Sequence, residues 1–225
     1  MRRIGNHGGA FAGWVLCVAT ALALSIGVPE TARADTKSPT LETVRKRGVL
    51  NCGVNTGLAG FSAPDRRGRW IGIDADFCRA VAAAVFGDGE KVRFVPLNAK
   101  ERFTALQSGE IDLLSRNTTW TMSRDTALGL NFAGTLYYDG QAFMVRKSRQ
   151  LKSVDDLTGA SICVQTGTTN ELNLADYFET RGLTYKPLVF ESLIHVLDAY
   201  RANRCDSFTT DSSQLISERT RLPDP

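Results

Sequence analysis

The stretch KVRFVPLNAKERFTALQSGEIDLLS, residues 91–115, contains a strand, a helix and a second strand in succession. Val92 and Phe94 alternate with a charged residue, which is typical of a β-strand. The KERFTALQSG segment then predicts a helix that ends at Gly109, because glycine readily adopts the backbone conformation that closes a helix. IDLLS predicts the next strand. This order is the repeating unit of α/β sheets.

The same order extends towards the N-terminus. Residues 49–54 are apolar enough for a buried strand, and GIDADFCRAVAAAVFG, residues 72–87, predicts the helix that follows it. Strand, helix, strand, helix and strand therefore alternate, which favours a mainly parallel sheet with helices on its faces. The buried face of the 72–87 helix is predicted to carry Ile73, Phe77, Val81, Ala84 and Val85.

The alternation restarts after an apolar strand at 142–145. Strands are predicted at 161–165, within LTYKPLVF and within CDSFTTD, with helices between them. The helix in ESLIHVLDAYRANR is predicted to bury Leu193, Val196, Leu197 and Tyr200. We expect an α/β chain of two lobes, residues 35–141 and 142–225, with three strands in the second. Because the chain stops at RLPDP, we expect the second lobe to be incomplete.

Residues 1–34 have the pattern of a secretory leader. Arg2 and Arg3 precede an apolar run at 11–28, and Ala32 and Ala34 form the small-residue pattern that signal peptidase recognises. We predict a signal peptide cut after Ala34 and a mature protein in the periplasm. A membrane anchor is the alternative interpretation.

The composition argues against several classes of function. Of the 27 basic and 24 acidic residues, three and one respectively belong to the leader, so the remaining chain is close to neutral. It therefore lacks the positive excess typical of nucleic-acid-binding proteins. His195 is the only histidine after the leader, and there is no C-x-x-C motif. We expect no metal and no cofactor.

Four cysteines follow the leader, and they allow three pairings. Their distribution, two in each half of the chain, favours Cys52 with Cys78 and Cys163 with Cys205. An exported chain meets an oxidising compartment, where such bonds form. The alternative is four small buried thiols.

Polar residues follow four of the predicted strands. In open α/β sheets, ligands bind beyond the carboxyl ends of the strands. Those ends carry VNTG at 54–57, SRNTTW at 115–120, QTGTTNE at 165–171 and TTDSS at 209–213. We therefore predict a binding site for a small polar molecule where these segments meet.

Charged residues near these segments suggest what the molecule is. Thr168 and Glu171 form a capping box, so a helix begins there, and its free N–H groups favour a carboxylate. The planar guanidinium of Arg124 can bind both oxygens of a carboxylate, and Asp211 can bind an ammonium group. Alternatively, Arg124 is solvated and Asp211 caps the helix that starts at Ser212. An Arg and an Asp on opposite lobes suit a free α-amino acid.

Six motifs together resemble one protein family. They are GVLNCGVN, GIDADFCRAVAAAVFG, ALQSGEIDLLSRNTTWTMSRD, FAGTLYYDGQAFMV, SVDDLTGASICVQTGTTNE and RCDSFTTDSSQL. The chain from about Leu41 onward resembles the periplasmic amino-acid-binding proteins of ABC transporters, solute-binding protein family three, and within them the general L-amino-acid-binding type.

The resemblance implies a type II periplasmic binding protein fold, in which two lobes close around the ligand. It implies that Arg124 binds the α-carboxylate together with Thr169, and that Asp211 binds the α-ammonium. Thr119 and Asn117 correspond to contacts from the first lobe. The expected ligand-binding set is Arg124, Asp211, Thr119, Asn117, Thr169, Thr168, Asn55 and Leu58. The expected partners are free L-amino acids and the permease subunits of an inner-membrane ABC importer, and a monomer is expected.

This sequence departs from the family pattern in its side-chain pocket. Leu58 and Ala99 occupy positions where many members have aromatic rings that stack on the ligand, with Trp120 as a substitute ring. Arg116 stands where relatives often have serine, and it brings a positive charge to that pocket. A pocket with fewer rings suits broad amino-acid specificity.

Two other functions are compatible with the same scaffold. One is an exported dehydratase of aromatic amino-acid biosynthesis, which would need a Glu or His at a strand end. The strand ends carry Asn55, Asn117, Thr169 and Asp211 instead, so we expect no enzyme. The other is the ligand-sensing lobe of a membrane receptor, and the lack of an apolar span after residue 41 argues against it.

Overall fold

Two main sheets with helices packed against them, and a small antiparallel sheet of two short strands, make up residues 38–222, which are the part of the chain that this computed structural model describes. The predicted signal peptide, residues 1–34, lies outside the described residues. The strands are β1 (Leu50–Asn55), β2 (Ala63–Pro64), β3 (Trp70–Ile71), β4 (Val92–Leu97), β5 (Leu113–Leu114), β6 (Gln141–Val145), β7 (Ser161–Gln165), β8 (Lys186–Phe190) and β9 (Ser207–Asp211).

The helices alternate with these strands as the sequence predicted, except that the short strands β2 and β3, which were not predicted, lie between β1 and the helix that follows. They are α1 (Pro39–Arg47), α2 (Ile73–Phe86), α3 (Arg102–Gln107), α4 (Met122–Thr126), α5 (Thr169–Thr180), α6 (Leu193–Arg201) and α7 (Ser212–Arg219), with 3₁₀ turns at Lys147–Arg149 and Asp155–Leu157. None of the helices within residues 38–222 is long and apolar enough to cross a membrane.

The first sheet is parallel, with strand order β4-β1-β5. Strand β1 lies in the centre and is buried along its whole length, including Asn51 and Asn55. Gly53 lies in this strand because there is no room for a side chain. A Cβ there would lie 2.5 Å from Ile111 Cδ1, 3.0 Å from Leu97 Cδ1 and 3.1 Å from Leu114 Cδ1.

The second sheet has four strands, so the prediction of three was wrong. Its order is β6-β9-β7-β8, with β7, β8 and β9 parallel and β6 antiparallel to β9. All five residues of β6, Gln141–Val145, pair with β9, and β6 thereby covers an edge that a three-stranded sheet would leave open. The division into lobes at residues 141 and 142 stays a prediction.

The buried face of α2 differs from the predicted one. Ala75, Cys78 and Ala82 are fully buried, whereas Ile73 is 40% exposed. Small residues allow the helix to lie close against the sheet, and the Cys52–Cys78 disulfide holds that face towards β1. The larger side chains of Phe77, Val81 and Val85 therefore lie at the flanks of the contact and are half-buried, and Ala84 is exposed.

The predicted face of α6 is confirmed, since Leu193, Val196, Leu197 and Tyr200 are all buried in one core of the second sheet. The buried face of α6 was easier to predict than that of α2. The residues that α6 buries are large and apolar, and they recur at the spacing of one helix face.

Each sheet contains one disulfide. Cys52 of β1 is bonded to Cys78 of α2, and Cys163 of β7 is bonded to Cys205 just before β9. All four are essentially inaccessible to solvent. The pairing that the sequence favoured is the one observed, and the alternative of four free thiols is excluded.

We predict that Gly53→Ala destabilises the fold by about 1–3 kcal/mol, because the added methyl group overpacks the interior. The matched control is Gly134→Ala, where an added Cβ meets no atom within 4 Å. Urea unfolding followed by circular dichroism measures both free energies. Equal stability of the two variants would contradict the packing described for β1.

We predict that reduction of the two disulfides lowers the free energy of unfolding by about 2–5 kcal/mol per bond, because each bond restricts the unfolded chain. The loops that they close have sequence separations of 26 and 42 residues. Urea midpoints with and without dithiothreitol test this. In the variant with all four cysteines replaced by alanine, the reductant should have no effect.

Candidate ligand-binding site

The carboxyl ends of β1, β5, β7 and β9 meet at a shared cleft. The cleft contains an open cavity of about 620 Å³ and a small one of about 10 Å³ beside it. Both are lined by residues from the polar segments that follow the strands. The residues that line both cavities are Arg116, Asn117, Thr119, Thr169, Asn170 and Asp211.

Asp211 lies at the end of β9, and two amides hold its carboxylate. Asn117 Nδ2 donates to Oδ2 at 3.2 Å, and Asn170 Nδ2 donates to Oδ1 at 2.9 Å. Asp211 occupies the N-cap position of α7, but its side chain makes no capping hydrogen bond. The alternative that this carboxylate only caps α7 is therefore not what the structure shows.

A chain of amide groups connects the two sheets at the cleft. Asn55 Nδ2 at the end of β1 donates to Asn117 Oδ1 at 2.8 Å. Asn117 Nδ2 also lies 3.1 Å from Gln214 Oε1, which accepts from Thr210 Oγ1 at 3.0 Å. These bonds fix the orientation of Asn117 next to Asp211.

Two threonine hydroxyls face each other across the cleft. Thr119 Oγ1 and Thr169 Oγ1 are 3.1 Å apart. Thr169 begins α5, and Thr168 caps that helix by accepting from the N–H of Glu171 at 3.2 Å. A capping box would also have the side chain of Glu171 accept from the N–H of Thr168. Instead, Glu171 Oε2 accepts from the N–H of the preceding residue, Gly167, at 2.9 Å.

Arg124 lies just behind this threonine pair and lines neither cavity. It is 8% exposed, its Nη1 donates to the carbonyl of Thr119 at 2.8 Å, and its guanidinium lies 5.1 Å from the ring centre of Phe103, which lines the larger cavity. Burial lowers the pKa of Arg124, and the negative charge of Asp211 opposes that shift. Arg124 remains a cation. Asp211 lies close enough for its negative charge to act on Arg124.

Arg102 is a second buried arginine, which the sequence analysis missed. It is 2% exposed and lines the small cavity. Its Nη2 donates to the carbonyl of Gly167 at 3.1 Å, and its Nη1 donates to Thr118 Oγ1 at 3.3 Å. Burial, followed by the charges of Arg116 and Arg124, lowers its pKa well below the usual value. The indication in the sequence was that Arg102 follows soon after the carboxyl end of β4, the end of a strand where ligands bind.

Arg116 and Asp74 are two further charged groups of the cleft, and Asp112 and Asp139 also line its larger cavity. Burial lowers the pKa of Arg116 to about 10, although Asp74 and Asp211 oppose the shift. Burial raises the pKa of Asp74 to about 6, although Arg116 opposes the shift. Asp74 lies in the first turn of α2, is 3% exposed and lines the larger cavity.

The three positions that bear on aromatic stacking have different locations. Leu58 is fully buried and lines neither cavity, whereas Ala99 lines the small one. Trp120 lines the larger cavity and stacks on Phe132, with ring centres 5.2 Å apart. Further rings line this cavity, which the sequence analysis did not anticipate, namely Phe61, Phe77, Phe103, Tyr137 and Tyr138.

The cleft thus combines buried guanidinium groups with four carboxylates, and hydroxyls and amides line it as well. The guanidinium groups are those of Arg102 and Arg116, with Arg124 behind the threonine pair, and the carboxylates are those of Asp74, Asp112, Asp139 and Asp211. Such a set binds a small molecule that carries an anionic group and a cationic group. Within residues 38–222, no group of three or more potential metal-ligating side chains occurs. His195 is exposed on α6 and lines neither cavity.

Known proteins are similar to this chain over most of its length. The general L-amino acid-binding periplasmic protein AapJ of Rhizobium johnstonii is 64% identical over 186 residues, which are 83% of this chain and 54% of that protein. The glutamate/glutamine/aspartate/asparagine-binding protein BztA of Rhodobacter capsulatus is 54% identical over 184 residues, 82% of this chain and 54% of that protein.

One solved structure is similar in sequence and in fold. It is an ABC transporter periplasmic binding protein from Brucella ovis with glutathione bound, 57% identical, with a TM-score of 0.80 over 84% of this chain and 59% of that one. This likeness confirms the α/β binding-protein fold that the motifs predicted. The chain spans about half the length of the curated relatives it matches.

The model of one protein family matches residues 50–218, which include both sheets and all the cleft residues described above. The chain therefore belongs to the bacterial extracellular solute-binding proteins, family 3.

Proposed function

We propose that this chain binds L-amino acids outside the cytoplasm and delivers them to an ABC importer. The observation that carries the proposal is that Asp211 lines one small cavity together with the guanidinium-bearing Arg102 and Arg116, with Arg124 behind the threonine pair. A free amino acid carries both complementary charges on adjacent atoms. The names of the similar proteins, which are binding proteins for amino acids, support the same substrate class.

The α-carboxylate would bind at Arg124 and the threonine pair. Within residues 38–222, Nη1 is the only guanidinium nitrogen of Arg124 that takes part in a hydrogen bond, so Nε and Nη2 remain available as donors. The hydroxyls of Thr119 and Thr169 lie next to the carbonyl that fixes this guanidinium, and the N-terminus of α5 adds free N–H groups. Thr168 supports this arrangement as the helix cap.

The α-ammonium would bind at Asp211. Its oxygens already accept from Asn117 and Asn170, but a carboxylate has about four acceptor positions, so it can accept further N–H groups. Asn55 would not contact the ammonium group itself. It would act through Asn117, whose side chain it orients. Leu58 would contribute by packing behind the cleft, since it is fully buried.

The larger cavity would hold the ligand's side chain. Its volume of about 620 Å³ exceeds what one small side chain fills, which suits broad specificity. We further propose that the protein acts in the periplasm as a monomer, after removal of the signal peptide, and docks on permease subunits. It needs no cofactor and no nucleic acid for this.

An enzyme on the same scaffold is the second candidate, and the cleft favours it less. Asp74 has a pKa of about 6, which suits acid–base chemistry. However, the similar proteins compared above are binding proteins by name, and Asp211 is held by two amides as a charge-binding group. Formation of product from prephenate or arogenate would reverse this ranking.

We predict that L-amino acids raise the melting temperature of the chain, and that Arg124→Ala abolishes this rise and weakens binding by calorimetry at least about 30-fold. The reason is that removing one partner of a desolvated charge pair costs about 2 kcal/mol or more. The matched control is Arg66→Ala, an exposed arginine, which should bind like the unmodified chain. An unchanged dissociation constant in Arg124→Ala would contradict the carboxylate assignment.

A further inference from the structure

Arg116 has donor groups without acceptors. Its Nε and Nη1 are buried, and neither has a hydrogen-bond partner within the described residues. A buried guanidinium nitrogen without an acceptor is unfavourable, because it has lost its hydrogen bonds to water without replacement. Arg116 lines both the small cavity beside Asp211 and the larger cavity, so an acceptor can reach it from the cleft. The unfilled donors indicate a place for a ligand group.

Asp74 is the matching acceptor group, and it lines the larger cavity together with Arg116. Its Oδ2 is buried and has no hydrogen-bond partner among the described residues. Its charge is the largest favourable influence on Arg116, ahead of that of Asp211. Ser115 Oγ donates to the carbonyl of Asp74 at 3.1 Å, so the start of α2 is attached to the strand end that carries Arg116.

We propose that Arg116 and Asp74 form the subsite for the ligand's side chain, that this subsite takes a terminal carboxylate or carboxamide, and that the charge of Asp74 decides which of the two binds more tightly. The proposal rests on the proposed binding of amino acids at the same cleft. A carboxamide can accept from Arg116 and donate to Asp74. A carboxylate can only accept, so it gains from Arg116 and is repelled by an ionised Asp74.

Few other charges act on this pair. Arg116 also faces Asp211 at the end of β9 and Arg124 on α4, and its own charge acts on Arg102 of α3. Asp112 and Asp139 line the same cavity, but Asp112 is bonded to Arg47, and Asp139 accepts from the hydroxyls of Ser212 and Ser213.

The strands packed against α2 add no titratable partner for Asp74. Strands β1 and β3 carry no titratable side chain except the disulfide-bonded Cys52, and Arg93 of β4 is exposed. On α2 itself, Asp76 points to solvent and is paired with Arg79.

The direction of the pH effect follows from burial of Asp74, which raises its pKa to about 6. Below that pH Asp74 is neutral, Asp211 is the remaining carboxylate that acts on Arg116, and a side-chain carboxylate is favoured. Above it the two charges cancel, and a carboxamide is favoured. The ratio of the dissociation constant of L-glutamate to that of L-glutamine should therefore rise between about pH 5 and about pH 7.5, on the order of tenfold.

The test is calorimetry of the full chain with L-glutamate, L-glutamine and L-leucine at both pH values. In Asp74→Asn, the glutamate-to-glutamine ratio should stay low and independent of pH, whereas leucine binding should not change. The matched control is Asp76→Asn, two residues along in the same first turn but exposed, which should keep the pH dependence. Arg116→Met should weaken glutamate and glutamine at least tenfold more than leucine.

The outcomes separate the two proposals. If none of the three amino acids binds at either pH, the proposed function fails, and this subsite fails with it. If they bind but the ratio does not depend on pH, or Asp74→Asn keeps that dependence, the subsite proposal alone is overturned. The same holds if Arg116→Met weakens all three ligands equally.

Discussion

The cleft depends on positive charge that is held out of water. Arg102 and Arg124 are almost fully buried, Arg116 has buried donors, and burial lowers the pKa of each. Guanidinium groups stay charged even so, because their pKa in water is above 12. Asp211 and Asp74 offset only part of this charge. The electrostatic attraction between these guanidinium groups and an anion in the cleft is therefore stronger than it would be in water. A carboxylate is the expected ligand group.

The two sheets are what make this arrangement possible. Parallel strands place their carboxyl ends on one side, so β1 and β5 bring Asn55 and Asn117 to the same cleft that β9 supplies with Asp211. One disulfide attaches α2 to β1, and the other attaches the segment before β9 to β7. Asn117, which contacts both Asn55 and Asp211, is the point where the two sheets share one polar network.

The sequence predicted the alternation of elements well because turns and helix ends have strong local signals, such as Gly48 and Gly87 in left-handed conformations after α1 and α2. It predicted the face of α6 but not that of α2, where small residues and a disulfide rather than large apolar side chains decide the contact. The position of β6 was not predictable locally, since its partner β9 lies about 65 residues later. Arg102 and Asn170 were missed because their roles come only from neighbours distant in sequence.

The central claim is that the cleft binds the α-carboxylate of a free amino acid. The most direct measurement is calorimetry of the full chain with L-glutamine and with its α-amide, which has the same side chain and ammonium group but lacks the α-carboxylate. The account predicts that L-glutamine binds and that the α-amide binds at least about 30-fold more weakly. Equal binding of the two compounds would contradict it.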